Sequence, residues 1–450
     1  RFTLLQARPI TTSKNAANDE KAYYLSLRPG EKRLKNLAEK VAKELIPRLE
    51  KLGHKMAAED LSELDDRHLS NEILERKNTL KKWQAIYREY FIPFAHGVRH
   101  LASYYNDNLK PDDPYEFVGL LKGQSMIAKE RNRKLIELAR QFKESPSVNV
   151  KIEKLINANQ PWPAIKNELN KSKKGRQFLL NFNYLLNEYM NVSHGQDRLN
   201  HRPELILENI IEMTKVANLN KMQSSNPEIN ELENKFFETV NNPHEAREIL
   251  EIGRLSWKLR DDDNILIGRV ESQLLKAIEE GAERLYKAGR LEKDYKIRIS
   301  AAKIIADGLK SRDKETIVLP AAKIENQSTQ FNNIKPRQLV GQPAAKGLVS
   351  GSARVIKDTE DLGKFKAGEI LVCDAIQPNL THLVPLASAI IERRGGMLIH
   401  GAIIAREMGI PCVNGIPKAA DVINNGDLVT VDGHLGIVTL GAAEFDLELN

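Results

Sequence analysis

The sequence predicts a multidomain protein in which a large all-α region is followed by a smaller α/β domain at the C-terminus. Three observations predict it. Apolar residues recur at three- and four-residue spacing almost without interruption from Glu31 to about Lys310, as amphipathic helices require. A polar stretch with two prolines, residues 325–343, then breaks the pattern and reads as a linker. Beyond it the apolar runs are short, β-branched and bounded by turn residues, which reads as strands. At 450 residues the chain is too long for one core, so two or three domains are expected.

In chain order, residues 1–10 read as a short strand that stops at Pro9, and 11–30 as a polar linker. Leu34, Leu37, Val41, Leu45, Leu49 and Leu52 line one helix face. Gly53 is its expected stop, and Pro47 its expected kink or break. A second helix is expected at about 71–90, with Ile73, Leu80, Trp83, Ile86, Tyr87 and Tyr90 inward, and a third at about 117–142. Others follow around 177–190, 203–216, 228–240 and 244–260. The last long helix runs over about 264–288, with Ile267, Val270, Leu274, Ile278 and Leu285 inward. No fixed period links them, so no solenoid is expected. In the C-terminal part, strands are expected at 348–356, 369–373 and 387–391, then a short helix at 401–408. Segments 427–431 and 436–440 flank a tight turn at Asp432-Gly433.

Composition narrows the function classes. With 41% hydrophobic and 29% charged residues this is a soluble globular composition. The apolar runs fall far short of a membrane span, and residues 1–20 lack the apolar core of a signal peptide. Two cysteines, Cys373 and Cys412, argue against a disulfide scaffold and fit a reducing compartment, so a cytoplasmic location is expected. The net charge of +7 comes from 68 basic residues interleaved with 61 acidic ones, with no dense basic block. Lysine-rich helix surfaces explain it better than nucleic-acid binding.

The stretch from Arg393 to Pro411 carries the strongest chemical signal. An apolar strand ends near Glu392, Gly395-Gly396 permits a sharp turn, and a short helix follows that stops at Gly409 with Pro411 beyond. His400 thus falls near a helix N-terminus, where free N–H groups and the helix dipole favour an anion. An imidazole there is disfavoured as imidazolium, stays a neutral nucleophile, and is stabilised once phosphorylated. On the residues alone, a capping or packing histidine is an equally good reading.

This stretch resembles the phosphohistidine signature of the phosphoenolpyruvate-utilising, dikinase-type phosphotransferases, among them phosphoenolpyruvate synthase, pyruvate phosphate dikinase and rifampicin phosphotransferase. The matching residues are Gly395-Gly396, His400-Gly401-Ala402 and Ala405-Arg406-Glu407-Met408-Gly409-Ile410-Pro411. The flanks agree at Gly347, Gly351-Ser-Ala-Arg-Val355, Gly368-Glu-Ile-Leu-Val372 and Gly426-Asp-Leu-Val-Thr-Val-Asp-Gly433. The resemblance implies a swivelling phosphohistidine domain over 344–442, with His400 catalytic and Gly395, Gly396, Gly401 and Arg406 supporting its loop. Ile399 departs from the family, which has a hydroxyl residue there.

Leu5-Gln6-Ala7-Arg8-Pro9-Ile10-Thr11 resembles the closing strand of the family's ATP-grasp domain, so residues 1–12 are expected to be its remnant. By that resemblance Gln6 and Arg8 reach the metal-bound phosphates of ATP, Arg8 through its planar fork. ATP and Mg2+ are then the implied cofactors, bound mainly by the absent remainder of that domain. Without it, in cis or as a separate subunit, the chain is expected to be inactive on ATP. The helical part, 13–324, is expected to hold a small hydroxylated acceptor, because the domain order resembles rifampicin phosphotransferase. A phenolic acceptor, as in the split phenylphosphate synthase, and a non-catalytic phosphocarrier or docking subunit are the alternatives. Candidate acceptor residues are His96 and Arg99 in an aromatic stretch, Arg260, Asp261, Asp262 and Asp263 between two helices, and His194. Such groups orient a hydroxyl and take its proton, although surface capping and core packing also account for them. No metal site is expected among them.

Overall fold

The structure, a computed structural model, describes residues 30–442 apart from 114, 145, 195–196, 217–227, 293–296, 312–315, 320–335 and 378–379. The expected strand at 1–10, with Gln6 and Arg8, and the expected linker over 325–335 lie outside the described residues. The helices are α1 (Glu31–Glu39), α2 (Ile46–Ala58), α3 (Asp66–Ile86), α4 (Ile92–Phe94), α5 (Gly97–Leu109), α6 (Ile127–Lys143), α7 (Pro146–Asn157) and α8 (Trp162–Asn170). They continue with α9 (Lys173–Glu188), α10 (Pro203–Met213), α11 (Glu228–Thr239), α12 (Pro243–Lys287) and α13 (Ala302–Lys310). A two-stranded hairpin, β1 (Ser193–His194) and β2 (Asp197–Arg198), interrupts the otherwise helical region.

Two expected breaks are not breaks. Pro47 enters α2 directly after a π-helical turn, Lys40–Leu45, so the missing N–H is absorbed where the hydrogen-bond register already changes. The helix then passes Gly53 and ends at Ala58. In the other direction, the helix expected at 117–142 is divided into a 3-10 segment, Glu116–Leu121, and α6.

The largest correction concerns the acidic run. Asp261, Asp262 and Asp263 do not separate two helices; they lie in the middle of α12, which is 45 residues long, and all three are buried. After Pro243 no proline interrupts the segment, and Asn242 caps its start by accepting the Glu245 N–H. The helix is buried on several faces because α1, α2, α3, α5, α6 and α13 pack around it. At 1.5 Å per residue it extends about 67 Å and is the spine of the helical region.

The C-terminal domain is an eight-stranded sheet in the order β3-β10-β9-β5-β6-β7-β8-β4. Its strands are β3 (Gln338–Val340), β4 (Gln342–Ala345), β5 (Leu348–Ile356), β6 (Ile370–Cys373), β7 (Ala389–Glu392), β8 (Cys412–Asn414), β9 (Leu428–Asp432) and β10 (Ile437–Leu440). β5 to β8 run parallel, and the outer pairs are antiparallel. Helices α14 (His400–Met408) and α15 (Ala419–Val422) complete it. β3 and β4 come largely from residues read as the end of the linker, so 338–343 are part of the sheet. Short polar strands at a sheet edge carry too little apolar periodicity to stand out from a linker.

The two regions are packed together. One apolar cluster joins Leu135, Leu207 and Ile211 of the helices to Leu362, Phe365 and Leu383 of the sheet domain. A second joins Val98, Leu101 and Trp257 to Leu398 and Ile403, on either side of His400.

Candidate functional site

His400 is the first residue of α14. Ile399 precedes it in extended conformation (φ −79°, ψ 161°) and offers no side-chain cap. Its apolar side chain packs against the cluster shared by the two regions. That packing is a physical account of the missing hydroxyl. Gly409 closes the helix in the left-handed region (φ 66°), which residues with a Cβ adopt only at a cost.

The loop before the helix is pinned from several sides. Asn414 donates to Gly396 O (3.0 Å) and accepts from Gly396 N–H (3.4 Å). Arg406 donates to Met397 O (2.6 Å) and stacks its guanidinium over Tyr115, 5.6 Å from the ring centre. Arg260 of α12 donates to Leu398 O (2.8 Å). Gly395, Gly396 and Gly401 are buried within this arrangement. Of the expected loop supports, Arg406 thus makes contacts on both sides; Asn414 and Arg260 join it without having been expected in that role.

The imidazole itself meets the helical region. His400 Nδ1 stands against Asp261 Oδ1, an ion-pair approach without ordinary hydrogen-bond geometry. The His400 side chain keeps 14% of its surface exposed and that of Asp261 5%. A carboxylate oxygen facing Nδ1 favours the tautomer with its proton on that nitrogen and leaves the Nε2 lone pair available.

The other carboxylates of the run have different partners. Asp262 accepts the Ile127 N–H (2.8 Å) at the start of α6, where Met126 supplies no cap of its own. Burial pushes its carboxyl up to about 6, against the pull of that N–H. Asp263 accepts from Asn264 Nδ2 (2.8 Å), and burial followed by the charge of Asp261 holds its carboxyl well above the usual range.

Three cations from the helices face the sheet domain. Arg131 of α6 is fully buried and donates to Thr381 Oγ1, while Asn132 donates to Thr381 O (3.0 Å). Burial lowers the Arg131 guanidinium to about 9, and the charge of Asp261 opposes that. Lys129 pairs with Glu407 of α14 (3.0 Å), whose carboxyl burial raises despite that lysine. Arg260 is the third. The sequence reading missed Arg131; an arginine at an inward position of an amphipathic helix was the available signal.

The remaining candidates are placed by other contacts. His96 is buried and its Nδ1 lies 3.2 Å from Arg99 Nη1, at the start of α5. The neighbouring Gly97 faces Ser256 of α12, five residues before Asp261 or about 7.5 Å along the axis. The backbone of His194 is in β1, whose Ser193 lies beside Gly268 on the far side of Asp261. Among the described residues no group of three His, Cys, Asp or Glu side chains is arranged to hold a metal ion. No described helix is long and apolar enough to cross a membrane.

Known proteins share sequence with the region that holds His400. Residues 365–436 match the model of the PEP-utilising enzyme, mobile domain. An uncharacterised phosphotransferase of Bacillus subtilis is 26% identical over 431 residues, covering 83% of this chain and 50% of that protein. A probable phosphoenolpyruvate synthase of Methanothermobacter thermautotrophicus is 36% identical over 118 residues, 26% of this chain and 17% of that one. The phosphoenolpyruvate synthase of Helicobacter pylori is 36% identical over 143 residues, 30% of this chain and 18% of that one. The chain therefore spans half or less of the length of these curated relatives. A solved Enzyme I structure overlaps it with a TM-score of 0.18 at 15% identity, over 70% of this chain and 81% of that one, which carries no weight for the fold.

Proposed function

We propose that this chain, a phosphoenolpyruvate-utilising phosphotransferase by its mobile domain, carries a phosphoryl group on His400 to the hydroxyl of a small acceptor held by the helical region. The observation that carries the reading is the meeting of His400 Nδ1 with Asp261 across the boundary between the two regions. A packing histidine has no need of a buried carboxylate from another domain. A phosphocarrier does, because the proton on Nδ1 decides what leaves.

In the transfer, the acceptor oxygen bonds to phosphorus as the bond from phosphorus to Nε2 breaks, Nε2 takes back the electron pair, and the acceptor's hydroxyl proton is released to solvent. With Nδ1 protonated and held by Asp261, the leaving group is neutral imidazole rather than the far poorer imidazolate. Phosphoryl transfer otherwise needs positioning and charge neutralisation, and Arg131, Arg260 and Lys129 bring positive charge to the face on which the domain is docked. The aromatic cluster of Tyr105, Phe117, Phe236 and Trp257 abuts Leu398 and Ile403 beside His400. The acceptor in this reading carries an antibiotic or phenolic hydroxyl. The docked arrangement is then the acceptor-facing state, and charging requires the mobile domain to leave it.

The donor in this reading is ATP, with its β-phosphoryl group transferred. ATP and Mg2+ belong to an ATP-grasp domain, in cis or as a partner subunit. The described residues offer no metal-holding group, so no step here is routed through the ion. The test supplies that domain in trans with β-labelled ATP and screens phenols and hydroxylated antibiotics for label. Wild type takes up label and passes it on, and His400→Ala takes up none. Full labelling of that variant would end the reading; label that stays on His400 with every acceptor would favour a phosphocarrier that docks other proteins.

A further inference from the structure

A second carboxyl group lies under the same helical turn, and the transfer just described gives it no task. Glu392 ends β7, opposite Cys373 of β6, and is fully buried. Its side chain runs beneath α14. A Cβ added to Gly401 would stand 2.3–2.5 Å from its two oxygens and Cδ, so the carboxyl group rests on the Cα of the residue that follows His400. Glu392 Oε1 accepts the Ile376 N–H (2.6 Å), whereas Oε2 is buried with no hydrogen-bond partner. Among the described residues no salt bridge joins Glu392 to a cation.

Its ionisable surroundings are few. Burial pushes the carboxyl up to about 8, the Ile376 N–H opposes this, Asp374 adds to it and Arg394 subtracts. Arg394 and Arg393 are themselves paired with Asp374. The thiols of Cys373 and Cys412 are held well above their usual range, by burial first and by Glu392 second. On α14, His400 is the adjoining titratable group, and Asp261 faces it from the helical region.

A phosphoryl group brings close to two negative charges, and its natural seat is the first turn of α14, where unbonded N–H groups and the positive dipole end lie. An ionised carboxylate against Gly401 would compete for that same positive end. We propose that Glu392 is a positioning residue for His400: resting against Gly401, it seats the first turn of α14 and leaves the positive end of that turn to the phosphoryl group. Ionisation of Glu392 and phosphorylation of His400 therefore oppose one another. The inference rests on the reading of His400 as the carrier. On charging, the Nε2 lone pair forms the bond to phosphorus, the bond from phosphorus to the donor's leaving atom breaks, and that atom keeps the electron pair. Where Glu392 is ionised it takes one proton from solvent.

Two measurements on the intact chain separate this proposal from the reading beneath it. The first follows the His400 ring by NMR from pH 6 to 10 in unphosphorylated protein. An inflection near pH 8 that reports Glu392 is expected in wild type and absent in Glu392→Gln. Its absence in wild type, or its persistence in the variant, overturns the proposal. The wild-type titration stands alone if the variant does not fold. The second charges both proteins with phosphoramidate, a small phosphoryl donor, and counts phosphohistidine by mass. Taking the ratio of wild type to variant cancels the donor's own titration. That ratio should fall up to tenfold per pH unit once Glu392 ionises, and a flat ratio overturns the proposal. Failure of His400 to accept phosphoryl in either protein overturns the carrier reading instead, and with it the assigned purpose of Glu392.

Discussion

Asp261→Asn keeps the shape of the side chain that meets His400 Nδ1 and removes its charge. The partner becomes an amide, which holds Nδ1–H far less strongly than a carboxylate and can present its own NH2 instead. Asp261 is 4% exposed and solvent does not replace what is lost. A hydrogen bond to a charged group in such surroundings contributes about 1.5–3 kcal/mol. If it is made fully only as the imidazole becomes the leaving group, its loss slows discharge by about 10- to 150-fold. Charging should be nearly unaffected, because Asp261 belongs to α12 and stays behind when the mobile domain moves. The assay charges the chain from β-labelled ATP with the nucleotide domain in trans, isolates it, and follows label passing to an acceptor by rapid quench. Discharge at the wild-type rate would refute the reasoning. Equal slowing of charging and discharge would refute it too, since Asp261 would then act on the fold and not on the transfer.

Three further outcomes follow from the same contacts. Arg131→Met leaves Asp261 as a buried charge without its guanidinium neighbour and removes the bond to Thr381; denaturant unfolding should register a loss of about 3–5 kcal/mol. Gly401→Ala drives a methyl group into the Glu392 carboxyl and should cost about 1–3 kcal/mol. Adding Glu392→Ala should recover part of that cost, and strict additivity of the two losses would show that the groups do not touch. The Asp262 carboxyl titrates at about 6 in the folded chain, above about 3.9 when unfolded. Between those values the folded state binds more protons, so this group's contribution to stability grows as pH falls from about 6 to about 4 and is lost on the way back. Urea unfolding of wild type and Asp262→Asn at pH 4 and pH 7 should differ in their pH response by about 2 kcal/mol. Identical responses would place the carboxyl in water.

The C-terminal domain was the more legible part. Its strands alternate with turn residues over short distances, and the segments expected at 348–356, 369–373 and 427–431 correspond to β5, β6 and β9 within a residue or two. The helix start at His400 was legible for the same reason, since Gly395-Gly396 before it and Gly409 after it are backbone requirements written in residue types, whereas its reading as a carrier rested on the family resemblance. The helical half was legible as helix but not in its divisions. An Asp-Asp-Asp-Asn run has the composition of a solvated turn, and composition alone does not tell a buried, partnered carboxylate from one in water.

By itself the sequence determined that helices precede a compact α/β domain, and that a histidine begins a helix there behind a glycine turn. Both are local, since periodicity and backbone freedom are properties of neighbouring residues. Only the tertiary structure decided the surroundings of that histidine. Asp261 reaches it from 139 positions earlier in the chain, Thr381 is gripped by Arg131 and Asn132 across some 250 residues, and Glu392 passes beneath Gly401. Charges find such partners only when the helical spine is packed and water has been driven from the boundary, and no pattern along the chain records which of them will meet.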